Sequence, residues 1–384
     1  MKSDHSRRIF IKSTATAAAA ALFFPQETVW AQGISPRTTQ TVTAVSLETC
    51  KAMRPEQMAQ TSFLVQQARG YLEQQIGTVK NAELRQLIET IYRQPEPLTI
   101  RRMDAESRRD VWQALRAKGY TEASESDVFP PLPAARKDGE AFFSAPGSGY
   151  QSHHAYPGGL ATHVATNVSI TNSIIDAYLS VYHYQVERDI ALAAQLLHDL
   201  HKPYVFQWQE DRASRPEHTL AGTGEHHILS LAELIYRKMP AELVVATACA
   251  HQPPTAESDE KQIAAWLDAA ALIAGADPVT YGLVVKKGDG FTLANIARQE
   301  GYICHLGDHD FVLSVPAVKL TLPVMKDIAK SDYGITKDAL DGVAFNALRN
   351  RVYSSWSAMR VHYAYSTRGE EAVRELMHAA VTPV

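Results

Sequence analysis

The sequence predicts an all-α protein, and three observations carry that reading. From Ala161 to Ala276, apolar residues recur at helical spacing in run after run, separated by short polar links. Strand-like patterning is confined to one stretch, Gly301 to Val315. Side chains able to ligate a metal (His163, His198, Asp199, His226, His227, His251, Asp277) fall within, or at the ends of, different predicted helices, and facing helices are where bundles build metal sites.

The elements follow in order. Ser6-Arg7-Arg8-Ile9-Phe10-Ile11-Lys12 is a twin-arginine export signal, followed by an alanine-rich apolar stretch from Thr14 to Phe24 and a small-residue cleavage site, Val29-Trp30-Ala31. The competing reading is a basic helix or membrane anchor, but a bilayer span needs roughly 20 apolar residues and this run is about a dozen. Residues 1–31 are therefore set aside as a signal peptide cleaved after about Ala31. The twin-arginine export machinery becomes an expected partner, and the mature chain is expected in the periplasm without a membrane span. This route exports folded proteins, so a metal chosen in the cytoplasm, such as manganese or iron, would be protected from exchange with zinc or copper outside.

Residues 32–140 are expected to form an N-terminal helical region. A Ser-, Thr- and Gln-rich lead-in (32–45) precedes helical patterning from Pro55 to Arg93 (Phe63, Ala68, Tyr71, Leu72, Ile76) and from Arg108 to Lys118, and Phe129-Pro-Pro-Leu-Pro133 ends it. Residues 141–280 form the metal-binding domain, with helices expected at Ala161–Tyr184, Asp189–Lys202, Gly224–Lys238, Ala241–His251 and Ile263–Ala276. Residues 281–384 are expected to hold a small β-hairpin, with strands around Gly301–Leu306 and Phe311–Val315 and a polar turn Gly307–Asp310, and then helices from Ala339 to His378.

Composition narrows the function. The 384-residue chain carries a net charge of −4, and loss of the signal segment (four basic and two acidic residues) takes it to −6. Stable binding to long nucleic acid needs a basic surface, so no such partner is expected, whereas a small phosphorylated ligand remains compatible. The 3 cysteines cannot all pair. Cys249, in an apolar helix two residues before His251, reads as a reduced core residue, and Cys50 with Cys304 is an open possibility for a disulfide.

The chemistry concentrates in Ala194-Gln-Leu-Leu-His-Asp-Leu-His-Lys202, an apolar helical run carrying His198 and Asp199 side by side. Burying both is costly unless something compensates them, and a divalent metal is the simplest compensation. The dipeptide supplies one neutral nitrogen and one anionic oxygen, and its carboxylate can bridge two metals as dinuclear hydrolytic sites require. The chain has 15 histidines, so isolated ones carry little weight. His305 and His309, flanking the expected hairpin turn, read as surface residues.

Gly158-Gly-Leu-Ala-Thr-His163 together with Leu197-His-Asp-Leu-His-Lys202 resembles the HD-domain superfamily of metal-dependent phosphohydrolases. His153-His-Ala-Tyr-Pro-Gly-Gly-Leu160 resembles in particular the HD domains of certain exoribonucleases and relaxase-associated proteins. The resemblance covers roughly residues 150–280 and implies an HD-type helical bundle. It implies a four-residue core of His163, His198, Asp199 and Asp277 around one metal, with Asp268 as the competing acid, read as exposed. It implies a second position at His251 with either His226, which has Ser230 one turn on, or His227, which precedes Ile228. Lys202 is placed to contact phosphate or orient the attacking water; the plainer alternative is a solvated lysine at a helix end, where cations are favoured. His201 is a possible general acid or a spectator. His154, or its neighbour His153, would reach the site from its loop. Arg212 and Arg215 are candidate phosphate contacts, because guanidinium groups suit bidentate recognition.

The expected activity is hydrolysis of a phosphomono- or diester by metal-activated water, with Asp199 and Lys202 at its centre and one or two divalent ions (Mn, Fe, Mg, Ni and Zn all compatible) as cofactor. Two other readings stay open: an HD-fold di-iron oxygenase, and a non-catalytic metal-dependent ligand sensor.

Overall fold

The computed structural model describes residues 41–132 and 139–384; the export segment, most of the lead-in and Pro133 lie outside the described residues. Helices dominate, as the periodicity predicts, and the strands among the described residues form three two-stranded pieces. Helix α1 (Phe63–Gly77) starts where the Ser62 hydroxyl accepts from Val65 N, and α2 (Ala82–Arg93) where the Asn81 side chain accepts from Leu84 N. Then follow α3 (Gly159–Tyr182), α4 (Arg188–Leu197), α5 (Glu225–Tyr236), α6 (Ala241–Ala248) and α7 (Glu257–Ala274).

Helix α4 is the centre of this assembly. It packs against α2 and α3 on the one hand and α6 on the other, and its Leu192, Leu196 and Leu197 are at most 1% exposed. Each such leucine contributes roughly 1.5–3 kcal/mol on burial. A helix this enclosed has no solvent-facing side on which to place a polar group at its end, so His198 and Asp199, which follow its last turn, are buried with it.

The hairpin expected at 301–315 is not there. Residues Arg298–Gly307 form helix α8 and Phe311–Tyr333 form helix α9. Gly301, Ile303, Cys304 and Gly307 are buried together on one helical face of α8. A Cβ on Gly301 would lie 2.7 Å from Cys249 Sγ, so the glycine marks the close approach of α8 to the end of α6, not a strand. The real hairpin joins β1 (Val284–Lys287) to β2 (Gly290–Leu293), with Lys287 opposite Gly290. Its two-residue turn is Gly288-Asp289, with Gly288 in the left-handed region at φ +60°, as tight hairpins require.

Helices α9, α10 (Val343–Arg368) and α11 (Glu370–Ala380) share an apolar core with Cys50 and Met58. Val45–Ser46 pairs in parallel with Val381–Thr382, so both ends of residues 41–384 meet in that layer. The polar face of α10 fixes two loops: Asn346 and Asn350 donate to the Asp211 and Arg212 carbonyls, and Arg349 donates to the Ala155 carbonyl. All three cysteines are free and buried. Cys50 donates to the Ala347 carbonyl and is not paired with Cys304. No described helix is long and apolar enough to cross a membrane.

Candidate metal centre

The turn before α3 carries the first histidines. Gly147 N and Tyr156 N both donate to the His154 carbonyl, and His154 itself sits at φ +57°. A Cβ on Gly159 would overlap that carbonyl, so this tight turn depends on glycine there. The fold-back brings the His153 and His154 rings to 5.2 and 5.1 Å from the ring of His163, one turn into α3. His154 Nε2 lies 3.4 Å from Asp310 Oδ2, and burial pushes the pKa values of His153 and His154 well below the usual imidazole range.

Four side chains from three parts of the chain then meet. His163 Nε2 lies 3.1 Å from Asp199 Oδ2 and 3.2 Å from Asp308 Oδ1. His198 Nε2 lies 3.1 and 3.3 Å from the same two oxygens. His198 Nδ1 is 2.7 Å from the Gln195 carbonyl, which can only accept, so Nδ1 carries a proton and Nε2, directed at the carboxylates, is the atom that would exchange its proton for a metal ion. Burial alone would lower the pKa of His198, but Asp199 and Asp308 outweigh it and raise it to about 10. The same contacts hold both carboxylates well below their ordinary range against the opposing effect of burial. The two buried carboxylates thus favour a cation beside them, a place that the Lys202 ammonium and the proton on His198 take where a metal ion does not.

Asp199 faces two ways. Its Oδ2 also lies 2.6 Å from Lys202 Nζ, and its Oδ1 lies 3.3 Å from His226 Nε2. His251 brings a ring nitrogen within 4.8 Å of the Asp199 and His226 ligand atoms, while its Nδ1 is held by Thr223 Oγ1 at 2.8 Å. His226 Nδ1 contacts Glu217 Oε1. Burial would lower the His226 pKa, but Glu217 and Asp199 raise it to about 9.

A test of whether these residues fit a metal lies in their unsatisfied atoms. His198 Nε2, His226 Nε2 and Asp199 Oδ1 are buried without a well-formed hydrogen bond, and Asp199 Oδ2 has its ion pair with Lys202 but no well-formed hydrogen bond either. Buried polar atoms normally find partners, and here they are nitrogen and oxygen donors converging on common points. The donor set fits a divalent ion at His163, His198, Asp199 and Asp308, and a further one at Asp199, His226 and His251. A cavity of about 180 Å³ lined by Ser148, Tyr150, His153, Lys202, Glu217 and His226 leads to this centre. A larger one of about 500 Å³, between Arg69, Glu89, Tyr92 and Phe142, is lined by none of these groups.

The chain is similar to a known phosphodiesterase. Dihydroneopterin 2',3'-cyclic phosphate phosphodiesterase of Methanocaldococcus jannaschii is 34% identical over 121 residues, which are 31% of this chain and 48% of that protein. The chain thus spans about half the length of the curated relative it matches. No family model and no solved structure matches the chain.

Asp277 is not part of the cluster, which corrects the expectation from the sequence. Gly275, at φ +72°, ends α7, and Asp277 lies two residues beyond it, exposed, accepting from Thr280 N at 2.6 Å. Asp308, at the end of α8, stands where Asp277 was expected. Reading residues 301–315 as a hairpin hid it, and only the fold shows why residue 307 is glycine: a Cβ there would collide with the Thr171 and Gln195 side chains and keep α8 from its neighbours. Asp268, read as exposed, is buried and accepts from Tyr120 Oη and Lys118 Nζ, each at 2.6 Å.

Other candidates also find their places. Between the adjacent histidines, His226 faces Asp199, whereas His227 Nε2 lies 3.1 Å from the Ala248 carbonyl and its ring stacks on His251 at 4.1 Å. His227 is therefore a support for His251. Ser230 accepts from His201 N and donates to the His226 carbonyl, which ties α5 to the His198-Asp199 turn. Arg212 donates to the Lys51 carbonyl, and Arg215 pairs with Glu225 and donates to the Asp127 carbonyl, so these guanidinium groups have partners away from Asp199. Lys202 is buried and not solvated. His305 and His309 lie on α8 and in the turn after it, and His305 Nδ1 engages the Ala250 carbonyl. Glu217 and Glu233 were not singled out by the sequence. Nothing in their local patterns separates them from the chain's other acids.

Proposed function

We propose that this protein is a metal-dependent hydrolase of phosphoester bonds, with its centre at Asp199. The observation that carries this reading is the double role of Asp199: one buried carboxylate turns Oδ2 to His163 and His198 and Oδ1 to His226. The likeness to a phosphodiesterase supports phosphoester chemistry in general. His163, His198, Asp199 and Asp308 would hold one divalent ion, and Asp199, His226 and His251 a second. When bound, such ions lower the pKa of a coordinated water towards neutrality and polarise a phosphoryl oxygen.

The chain's own residues supply the rest. Lys202 Nζ, held on Asp199 Oδ2 and lining the cavity, is placed to neutralise a non-bridging oxygen of a phosphoester. Ser148 and Tyr150 line the same cavity and can bond the ester's alcohol portion. Its volume of about 180 Å³ suits a small substrate, such as a phosphorylated metabolite, over a polymer. We also infer twin-arginine export to the periplasm from Arg7-Arg8 and Val29-Trp30-Ala31. Replacing both arginines by lysine should keep the chain in the cytoplasm, and unchanged export would refute that inference.

The functional test is a panel of phosphomono- and diesters, cyclic ones included, with His198→Ala as control. Hydrolysis that this substitution abolishes supports the reading; equal hydrolysis by the variant refutes it. Oxygen uptake in place of phosphoester cleavage would favour the oxygenase alternative.

A further inference from the structure

We propose that Glu217 is a positioning residue for the second metal position, and that residue 224 is glycine because the Glu217 carboxylate occupies the space of its side chain. The inference rests on the metal-centre reading above and deepens it.

His226 offers two ring nitrogens. Nδ1 contacts Glu217 Oε1, and Nε2 is directed at Asp199 Oδ1. A carboxylate accepts, so in the neutral ring the proton sits on Nδ1 and the Nε2 lone pair is free for a cation. A carboxylate behind a ligating histidine fixes both tautomer and ring orientation in this way. Among the described residues Glu217 is the partner that holds the ring's rear nitrogen.

Gly224 gives an independent reason to regard this contact as built in. Its backbone, at φ −66° and ψ 141°, is extended and open to any residue. No turn requires glycine there. A Cβ at this position would collide with the carboxylate of Glu217, whose Oε1, Cδ and Oε2 are the three nearest atoms. The constraint on residue 224 therefore comes from the Glu217 side chain. That side chain is flexible, so a small residue at 224 would push the carboxylate aside without disturbing the backbone.

The test is binding of Mn(II), or of Fe(II) under anaerobic conditions, to the full chain by equilibrium dialysis. The wild type is expected to take up two ions. Glu217→Ala should weaken one of them by about 10–100-fold and leave the other within about twofold. Glu217→Gln, whose amide oxygen still accepts from Nδ1–H, should recover most of the lost affinity. Gly224→Ala, which alters no ligand, should reproduce the Glu217→Ala loss. The double variant should be no weaker than Glu217→Ala alone, because the second change acts through the first. Two ions in the wild type with Glu217→Ala unchanged, or losses that add in the double variant, would overturn this inference alone, as would uptake of a single ion. Uptake of no ion would overturn the metal-centre reading as well.

Discussion

Asp308 Oδ1 lies 3.2 Å from His163 Nε2, although 145 residues of sequence separate the two side chains. Asn167, one turn after His163 on α3, donates to the same Asp308 oxygen at 2.7 Å and fixes its direction. In the proposed centre Asp308, which contacts both His163 and His198, would close the first metal position, and Asp277 would not. Asp308→Ala should therefore lower metal affinity and phosphoester hydrolysis at least about 100-fold, more than loss of a supporting residue costs. Asp277→Ala should leave both unchanged, with stability within about 0.5 kcal/mol, as expected for a surface site. Metal content and initial rates of the two variants, measured side by side, check this.

Lys202 should behave differently from the ligands. Lys202→Met removes a buried cation 2.6 Å from Asp199 Oδ2 but no metal donor. We expect kcat to fall by roughly 10²–10³-fold, as for loss of one group that stabilises transition-state charge, with metal content retained. Loss of the metal along with the activity would instead make Lys202 a structural counter-charge.

Glu233 provides a pH dependence remote from the ligands. This fully buried carboxylate accepts from Thr99 N and Oγ1 and from Arg237 Nε, and lies 3.4 Å from His201 Nε2. Burial would raise its pKa, but His201, Arg237 and Thr99 outweigh it and bring it from 4.5 to about 2. A lowered folded-state pKa means the contribution is fully present above pH 4.5 and fades as the pH falls towards 2. It amounts to about 3 kcal/mol at neutral pH. Glu233→Gln should be less stable than wild type at pH 7, and the gap should narrow across that window in urea unfolding.

Gly159 tests the turn that presents His153 and His154. Gly159→Ala places a methyl group into the His154 carbonyl, so we expect a loss of about 1–3 kcal/mol, seen as a lower Tm. Hydrolysis should fall with it as the turn opens. Gly70→Ala, at an α1 position where a Cβ meets nothing within 4 Å, is the control and should not destabilise.

Much of this was legible in the sequence, for reasons that differ between elements. The helices from α3 to α7 carry long apolar periodicity, and their limits fall within a few residues of expectation, apart from α4, which ends at Leu197 and not at Lys202, so that His198 and Asp199 follow it, and α7, which starts six residues earlier, at Glu257. His198-Asp199 stood out because two polar ligands in an apolar run need compensation, and that property is local. Asp308 was not legible. Its role depends on the packing of α8 against α3 and α4, and the short Ile303–Cys304 and Val312–Leu313 runs suit a strand as well as a buried helix until neighbours decide. The choice between His226 and His227 likewise rests on a rotation of α5 that one-residue spacing does not resolve. Glu217 acts from a loop, where side-chain direction has no periodicity to read.

The most direct test of the central claim is the metal content of the full chain, measured by elemental analysis after native export, in the wild type and in Asp199→Ala. We expect one or two equivalents of a divalent metal in the wild type. We expect close to none in the variant, because Asp199 would serve both positions. Equal metal in the two proteins, or none in the wild type, would contradict that claim.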